Sequence, residues 1–133
     1  MTNDVTSSTR VTLELFYVAY TSGDLEGMLA MMADDVVVTF IGHGTFHGKA
    51  EAQPYMIWAG TQLPQLDFRV LHKIVDGERA AVVWDETGVT KRGYAWEAQG
   101  VDVYRIVDDQ VVELTVHSHT EKMKRLLESW PPS

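Results

Sequence analysis

The sequence contains no cysteine, which excludes disulfide bonds, thiolate metal sites and cysteine nucleophiles. Basic residues are also scarce, because 11 Lys and Arg stand against 19 Asp and Glu, a net charge of 11 − 19 = −8. A surface of this charge repels phosphate backbones and anionic lipid. We therefore expect no nucleic-acid partner and no membrane partner.

Long apolar runs are missing as well. No stretch approaches the roughly 20 apolar residues that span a bilayer, and the polar segment Met1–Arg10 lacks the apolar core of a signal peptide. We therefore expect a cytoplasmic protein. With 133 residues, of which 45% are hydrophobic, the chain has the size and the apolar content of one self-supporting domain, residues 1–133.

Hydrophobic periodicity predicts helices in the first half of the chain and strands in the second. Gly23 ends the first helix, and Asp24 is the N-cap of a short second helix that ends at Asp34. The first predicted helix covers 11–20, and two later helices cover 49–62 and 121–129. The predicted strands are 36–41, 66–75, 79–90, 94–107 and 111–119. This order predicts an α+β fold, with helices on one face of a curved, mostly antiparallel sheet.

Three segments resemble a known group of proteins. They are FYVAYTSGDLEGMLAMMADDVVVTF (16–40), FHGKAEA (46–52) and GVDVYRIVDDQVVELTVHSH (100–119), and together they resemble SnoaL-like and ketosteroid isomerase-like proteins of the nuclear-transport-factor-2-like superfamily. The resemblance covers about residues 8–119. It implies a cone in which the sheet wraps around the N-terminal helices and encloses an apolar pocket, and it implies a homodimer formed through the outer sheet face.

The catalytic positions of the steroid isomerases are only partly present. Their helix tyrosine, eight residues before the Asp of the Gly-Asp step, matches Phe16, and their general base matches Phe40. Their protonated aspartic acid matches Asp102. Since one of three positions is kept, steroid isomerisation is not expected. The Asp-Arg-Asp set of limonene epoxide hydrolase-like relatives, near Asp85, Thr87 and Val116, is not kept either, but it implies that Asp85 faces the pocket.

Strand alternation makes Asp102 the main candidate for chemistry. Side chains alternate faces along a strand, so Gly100, Asp102, Tyr104 and Ile106 share one face. If that face is the inner one, burial raises the pKa of the Asp102 carboxyl and gives an acid usable near neutral pH. The alternative is a carboxylate at the sheet rim, bonded to backbone or solvent.

Two further residues are candidate partners of Asp102. Asp85 shares a strand face with Val83 and lies across a hairpin from Asp102, so both carboxyls would enter one cavity if that face is the inner one. Repulsion between them would separate their pKa values, so that one acts as an acid and the other as a base. The alternative is an exterior Asp85 with Trp84 inward, and a shift of one residue decides between them. His43, in a Gly-His-Gly loop, is a candidate proton carrier, although a loop histidine is often simply solvated.

Aromatic and aliphatic side chains are candidates for the lining of a pocket that binds a flat apolar ligand. The candidates are Phe16, Tyr20, Phe40, Tyr55, Trp58, Val83, Tyr104 and Val116. The alternative is that they only fill the core. His117 and His119 have the spacing of a strand metal pair, but no third ligand is evident, so neither a metal nor another cofactor is expected.

The expected function is cofactor-free acid/base chemistry on a small hydrophobic molecule, by isomerisation, cyclisation, dehydration or epoxide opening. Asp102 would be the acid or oxyanion donor, Asp85 the base and His43 an auxiliary proton carrier. A non-catalytic small-molecule-binding or assembly domain is the alternative, favoured by the phenylalanines at positions 16 and 40. In a third possibility, the protein's own side chains fill the cavity.

Overall fold

The computed structural model describes residues 2–118, which form three helices and six strands. The helices are α1 (Thr2–Thr21), α2 (Leu25–Ala30) and α3 (Lys49–Gln62), and the strands are β1 (Met32–Phe40), β2 (Gly44–His47), β3 (Gln65–Asp76), β4 (Arg79–Val89), β5 (Ala95–Val107) and β6 (Gln110–Ser118). The predicted helix 121–129 and His119 lie outside the described residues.

One six-stranded sheet carries the described part of the fold. Its strand order is β2-β1-β6-β5-β4-β3, and neighbouring strands are antiparallel except for the parallel pair β1 and β6. Helix α1 packs on β3 and β5, and α3 packs on β1 and β2. The helices and the inward side chains of the sheet share one hydrophobic core, so the predicted α+β architecture is confirmed.

The sequence predicted β3 to β6 within one residue at each end, and α3 at its full length. The first helix is longer than predicted, because its polar start is anchored to the β3–β4 turn. The backbone N–H of Gly77 donates to Thr6 Oγ1 (2.9 Å), and Thr9 Oγ1 donates to the Gly77 carbonyl (2.7 Å). These tertiary hydrogen bonds stabilise a helical turn that periodicity alone does not indicate.

Strand pairing also changes the region after α2. Strand β1 begins at Met32, four residues before the prediction, which shortens α2 to Ala30. The stretch Gly44–His47, for which the sequence predicted no helix or strand, pairs antiparallel with β1 as the short edge strand β2. A four-residue edge strand of this kind has too little local pattern to be found from sequence.

Side-chain alternation along β4 and β5 fixes what faces the core. On β5, the buried side chains include Asp102 and Tyr104, so the predicted inward face of this strand is confirmed. On β4, the even-numbered residues Ala80, Val82, Trp84 and Glu86 are buried. The candidate site therefore receives side chains from both of these strands.

We expect Asp24→Ala to lower the free energy of unfolding by about 1 kcal/mol, because Asp24 is the N-cap of α2. Its side chain accepts the backbone N–H of Gly27 at 2.9 Å. Urea denaturation of the variant measures the loss. The matched control is Asp35→Ala, which removes an exposed carboxylate of β1 that caps no helix, and an equal loss in both variants would contradict the capping role.

Candidate functional site

A cavity of about 580 Å³ lies between the helices and the inner face of the sheet. Its lining is mostly apolar and aromatic. Six of the eight side chains expected to line a pocket do so, namely Phe16, Tyr20, Phe40, Tyr55, Tyr104 and Val116. The aromatic rings pack against one another at the walls and leave space between them: Tyr55 lies 4.7 Å from Phe46 and 4.9 Å from Phe40 between ring centroids. The protein's own side chains therefore do not fill the described cavity.

The carboxyl group of Asp102 is buried in the wall of this cavity, with 8% of the residue exposed. Two donors from other elements hold it. Tyr17 of α1 donates its hydroxyl to Oδ2 at 2.8 Å, and Trp84 of β4 donates its indole Nε1–H to Oδ1 at 2.9 Å. A buried carboxylate is tolerated when such donors replace its lost water.

A second tyrosine extends this network. The hydroxyl oxygens of Tyr17 and Tyr104 are 2.7 Å apart, while Tyr104 reaches Asp102 Oδ2 only at 3.5 Å. Each hydroxyl has one proton to donate. Both short contacts are hydrogen bonds when the Tyr104 hydroxyl donates to Tyr17 and the Tyr17 hydroxyl donates to Asp102. This order of donors is the one that suits an ionised carboxylate.

Gly100 makes room for the Trp84 indole. The two residues are opposite each other on β4 and β5. A Cβ atom at position 100 would lie 2.7 Å from Trp84 Cζ2 and would collide with the His117 carbonyl oxygen. Since any larger residue would push the indole away, glycine at this position allows the hydrogen bond from Trp84 to Asp102.

Burial raises the pKa of Asp102 to about 6, against the opposing effect of hydrogen bonds from Tyr17, Trp84 and Tyr104. Burial likewise raises the pKa of Tyr17 and of Tyr104 well above their usual value. Both tyrosines are therefore neutral donors at physiological pH, whereas Asp102 exchanges its proton slightly below neutrality. The sequence predicted this acidic group correctly as inward-facing and buried.

The tyrosine that contacts Asp102 was missed. Resemblance placed the family's helix tyrosine at Phe16, but the hydroxyl of the next residue, Tyr17, bonds the carboxyl. The signal was present in the helical spacing, because Tyr17 follows Leu13 by four residues and both are buried.

Glu86 is a second buried carboxyl in the cavity wall, with 6% of the residue exposed. Burial raises its pKa to about 7, and the negative charge of Asp102 acts in the same direction. The Trp96 indole lies near enough to lower this pKa, but its Nε1 is not in hydrogen-bond geometry with any described group. Sequence reasoning missed Glu86, because it placed the odd-numbered residues of β4 inward.

The prediction that Asp85 faces the cavity is wrong. It lies on the opposite face of β4 in a two-point ion pair, since Arg69 Nε and Nη2 donate to its two oxygens at 2.8 and 2.7 Å. Val83, on the same outward face, does not line the cavity either. The physical reason is the one-residue alternation of the strand, which puts Trp84 and Glu86 inside.

Two other candidates also lie away from the cavity lining. His43 occupies the β1–β2 turn, where its backbone N–H donates to the Phe40 carbonyl at 2.9 Å. Trp58 packs beside Tyr55 at 6.2 Å between ring centroids, and it is absent from the cavity lining although several of its neighbours on α3 belong to it. His43, predicted as an auxiliary proton carrier, and Trp58, predicted to line the pocket, are therefore not part of the described cavity lining.

Metal-binding side chains are not clustered in the described part of the chain. Residues 2–118 contain no group of three His, Asp or Glu side chains placed to hold a metal ion. His117 is exposed on the outer face of β6, and its proposed partner His119 lies outside the described residues. Among the described helices, none combines the length and apolar character needed to cross a bilayer.

Comparison with protein families identifies the fold. The model of the SnoaL-like domain matches residues 13–114, more than half of the chain. The chain belongs to the SnoaL-like family. Membership supports a small-molecule domain, either of the isomerase or cyclase type or of the binding type. No match to a curated protein was found.

Solved structures show the same NTF2-like cone. An NTF2-like protein of unknown function from Burkholderia pseudomallei is 27% identical, with a TM-score of 0.79 over 90% of this SnoaL-like domain and 96% of that chain. TerC, crystallised with polyporic acid, is 20% identical (TM-score 0.78, 92% and 99% covered). A putative SnoaL-like polyketide cyclase from Jannaschia sp. CCS1 is 19% identical (TM-score 0.78, 96% of both chains).

We expect Tyr17→Phe to destabilise the domain by about 1–3 kcal/mol near pH 8, because the ionised Asp102 loses a buried donor. The loss should shrink near pH 5, where Asp102 is protonated and needs that donor less. Urea denaturation at both pH values measures it. Tyr94→Phe, at a tyrosine that is 69% exposed, is the matched control, and an unchanged stability in Tyr17→Phe would rule out the network as described.

We expect Glu86→Gln to stabilise the domain by about 1–3 kcal/mol near pH 8 and to have little effect near pH 4. Folded Glu86 binds its proton more tightly than the unfolded chain does, so its contribution to stability is lost as pH rises towards about 7. Glutamine cannot ionise and avoids this loss. Thermal unfolding from pH 4 to 8 measures the difference, and a difference that does not change with pH would contradict a buried, uncompensated Glu86.

Proposed function

We propose that this SnoaL-like domain is a cofactor-free enzyme that moves a proton within a small hydrophobic molecule, with Asp102 as the acid/base group. The observation that carries the proposal is a carboxyl with a pKa of about 6, buried in the wall of an apolar cavity. A pKa in this range lets one group both accept and return a proton near neutral pH.

Asp102 is suited to begin the reaction as a base. At pH 7 a group with a pKa of about 6 is mostly ionised. Each carboxylate oxygen offers two lone pairs, and each accepts one short hydrogen bond, from Trp84 at Oδ1 and from Tyr17 at Oδ2. One lone pair on each oxygen is left for a substrate, and burial away from water strengthens the base.

The proposed proton transfer needs no cofactor. A substrate C–H bond breaks, its proton goes to Asp102, and its electron pair stays on the substrate as an enolate-like anion. Protonation makes Asp102 a weaker acceptor, so the hydroxyls of Tyr17 and Tyr104, which also line the cavity, can turn to the developing oxyanion. Asp102 then returns the proton to a second position, or the anion adds within the molecule as in a cyclisation.

A non-catalytic small-molecule-binding domain is the second candidate function. One observation favours it: donors from α1 and β4 satisfy Asp102 from within the protein, as expected of a group that specifies the packing of the core. Phe16 and Phe40, in the lining of the cavity, also offer apolar contact rather than chemistry. The structural relative TerC, crystallised with polyporic acid, supports ligand occupancy of this fold under either function.

Other expectations remain proposals. The single-domain organisation of residues 1–133, a homodimer formed through the outer sheet face, a cytoplasmic location and the absence of a metal or cofactor are all proposed on the sequence arguments above.

We expect the domain to open nitrobenzisoxazole, a probe whose ring breaks when a base removes its C–H proton. The rate should rise with pH and level off above about 6, since ionised Asp102 is the base. Asp102→Asn should lower it about 100-fold or more, towards the buffer rate. Absorbance of the phenolate product measures the reaction.

Asp85→Asn is the matched control, because it removes a carboxylate on the outer face of the sheet and should leave the rate unchanged. Equal rates in the unmodified protein and Asp102→Asn would contradict the assignment of the base. Ring opening no faster than in buffer would favour the binding function instead.

A further inference from the structure

The described cavity lining has carboxyl groups but no basic side chain. Asp102 and Glu86 are buried in its wall, and Asp67 borders it as an exposed residue of β3. No Lys, Arg or His among the described residues lines it. The cavity therefore carries negative charge that no cation of the described chain balances.

Glu86 and Asp102 differ in how their charge is compensated. Asp102 receives hydrogen bonds from Tyr17 and Trp84. Glu86 receives none from the described residues, because the Trp96 indole approaches it without reaching hydrogen-bond geometry. A glutamate of which only 6% is exposed, and whose carboxyl receives no donor from the described residues, is costly to keep in a core. A ligand could supply the missing donor.

We propose that Glu86 is the recognition group of the cavity and pairs with the protonated nitrogen of a small apolar amine. An ammonium group brings both a positive charge and N–H donors, so it compensates Glu86 in a medium where charges interact strongly. A carboxylate ligand would place a third negative charge beside two others. The cavity should therefore rank matched ligands in the order amine, alcohol, carboxylate.

The position of Glu86 is compatible with chemistry at Asp102. The strand register sets Asp102 opposite Val82 and sets Glu86 opposite Ala98, four residues further along the sheet. At roughly 3.3 Å per residue, this offset leaves Trp84 between the two carboxyls. A ligand anchored by its nitrogen at Glu86 can extend its apolar part over Trp84 towards Asp102. The proposed ligand class rests on the proposed function of the same cavity and deepens it.

Several titratable groups face Glu86 and its cavity, and all are acids. They are Tyr17 and Tyr20 on α1, Tyr55 on α3, Asp67 on β3, and Asp102 and Tyr104 on β5. Burial raises the pKa of the four tyrosines, so they remain neutral near pH 7. Between pH 6 and 8 Glu86, with a pKa of about 7, changes charge, while Asp102, with a pKa of about 6, completes its ionisation in the lower part of this range. Amine binding should therefore release a proton from Glu86.

The test compares naphthylmethylamine, naphthylmethanol and naphthoate by isothermal titration calorimetry with the full-length protein. We expect the amine to bind about tenfold or more tightly than the alcohol at pH 8, and naphthoate to bind weakest. The affinity of the amine should rise up to about tenfold per pH unit below pH 7 and level off above it, since Glu86 must lose its proton. The affinity of the uncharged alcohol should change little.

Glu86→Gln should remove the preference for the amine and its pH dependence while it keeps the binding of the alcohol. Asp85→Asn, on the outer face, should change none of the three affinities. In Asp102→Asn the preference for the amine should persist, so a failure of proton-transfer activity and a failure of amine recognition can be told apart.

Three results would overturn the proposal. They are naphthoate binding as tightly as the amine, no detectable binding of the amine to the unmodified protein, and an undiminished preference for the amine in Glu86→Gln. If Glu86→Gln failed to fold, the pH dependence of amine binding to the unmodified protein would still test the proposal. An amine affinity that does not change from pH 6 to 8 contradicts pairing with Glu86.

Discussion

The buried carboxylate of Asp102 constrains much of the architecture around it. An ion in an apolar wall needs donors, and α1 and β4 each supply one through Tyr17 and Trp84. The same two hydrogen bonds fix the position of the first helix over the sheet and the rotamer of the indole. The helix, strands β4 and β5 and the cavity between them therefore depend on one polar cluster.

The hydrogen bond from Trp84 to Asp102 depends on the small residue Gly100 beside the large indole. Because Gly100 has no side chain, the Trp84 ring can lie against the neighbouring strand and point its N–H at Asp102. On the other side of the network, Tyr104 donates to Tyr17 and keeps its hydroxyl satisfied. The cluster has donors enough for an ionised Asp102, whereas Glu86, four residues further along the same strand pair, has none from the described residues.

Sequence reasoning predicted the order of the described elements except β2, the inward face of β5 and the burial of Asp102, because strand alternation and turn residues are local signals. It failed on β4, where Val83 and Asp85 alternate with Trp84 and Glu86 and either set could face a core. Counting residue pairs outward from the β3–β4 turn also assigns the wrong partners across these two strands. The register that pairs Asp76 with Arg79 would place Arg69 opposite Glu86, but a shift between Val70 and His72 places it opposite Asp85. A bulge of this kind depends on tertiary packing.

A carboxyl poised to exchange protons inside an apolar cavity is the central claim, and a carbon-detected NMR titration of the Asp102 side chain tests it most directly. Spectra of the Asp102→Asn variant assign the carboxyl resonance. A midpoint near pH 6 is the predicted result, since burial outweighs the stabilising donors. A midpoint below about 4, the value of a solvated aspartate, would contradict the account.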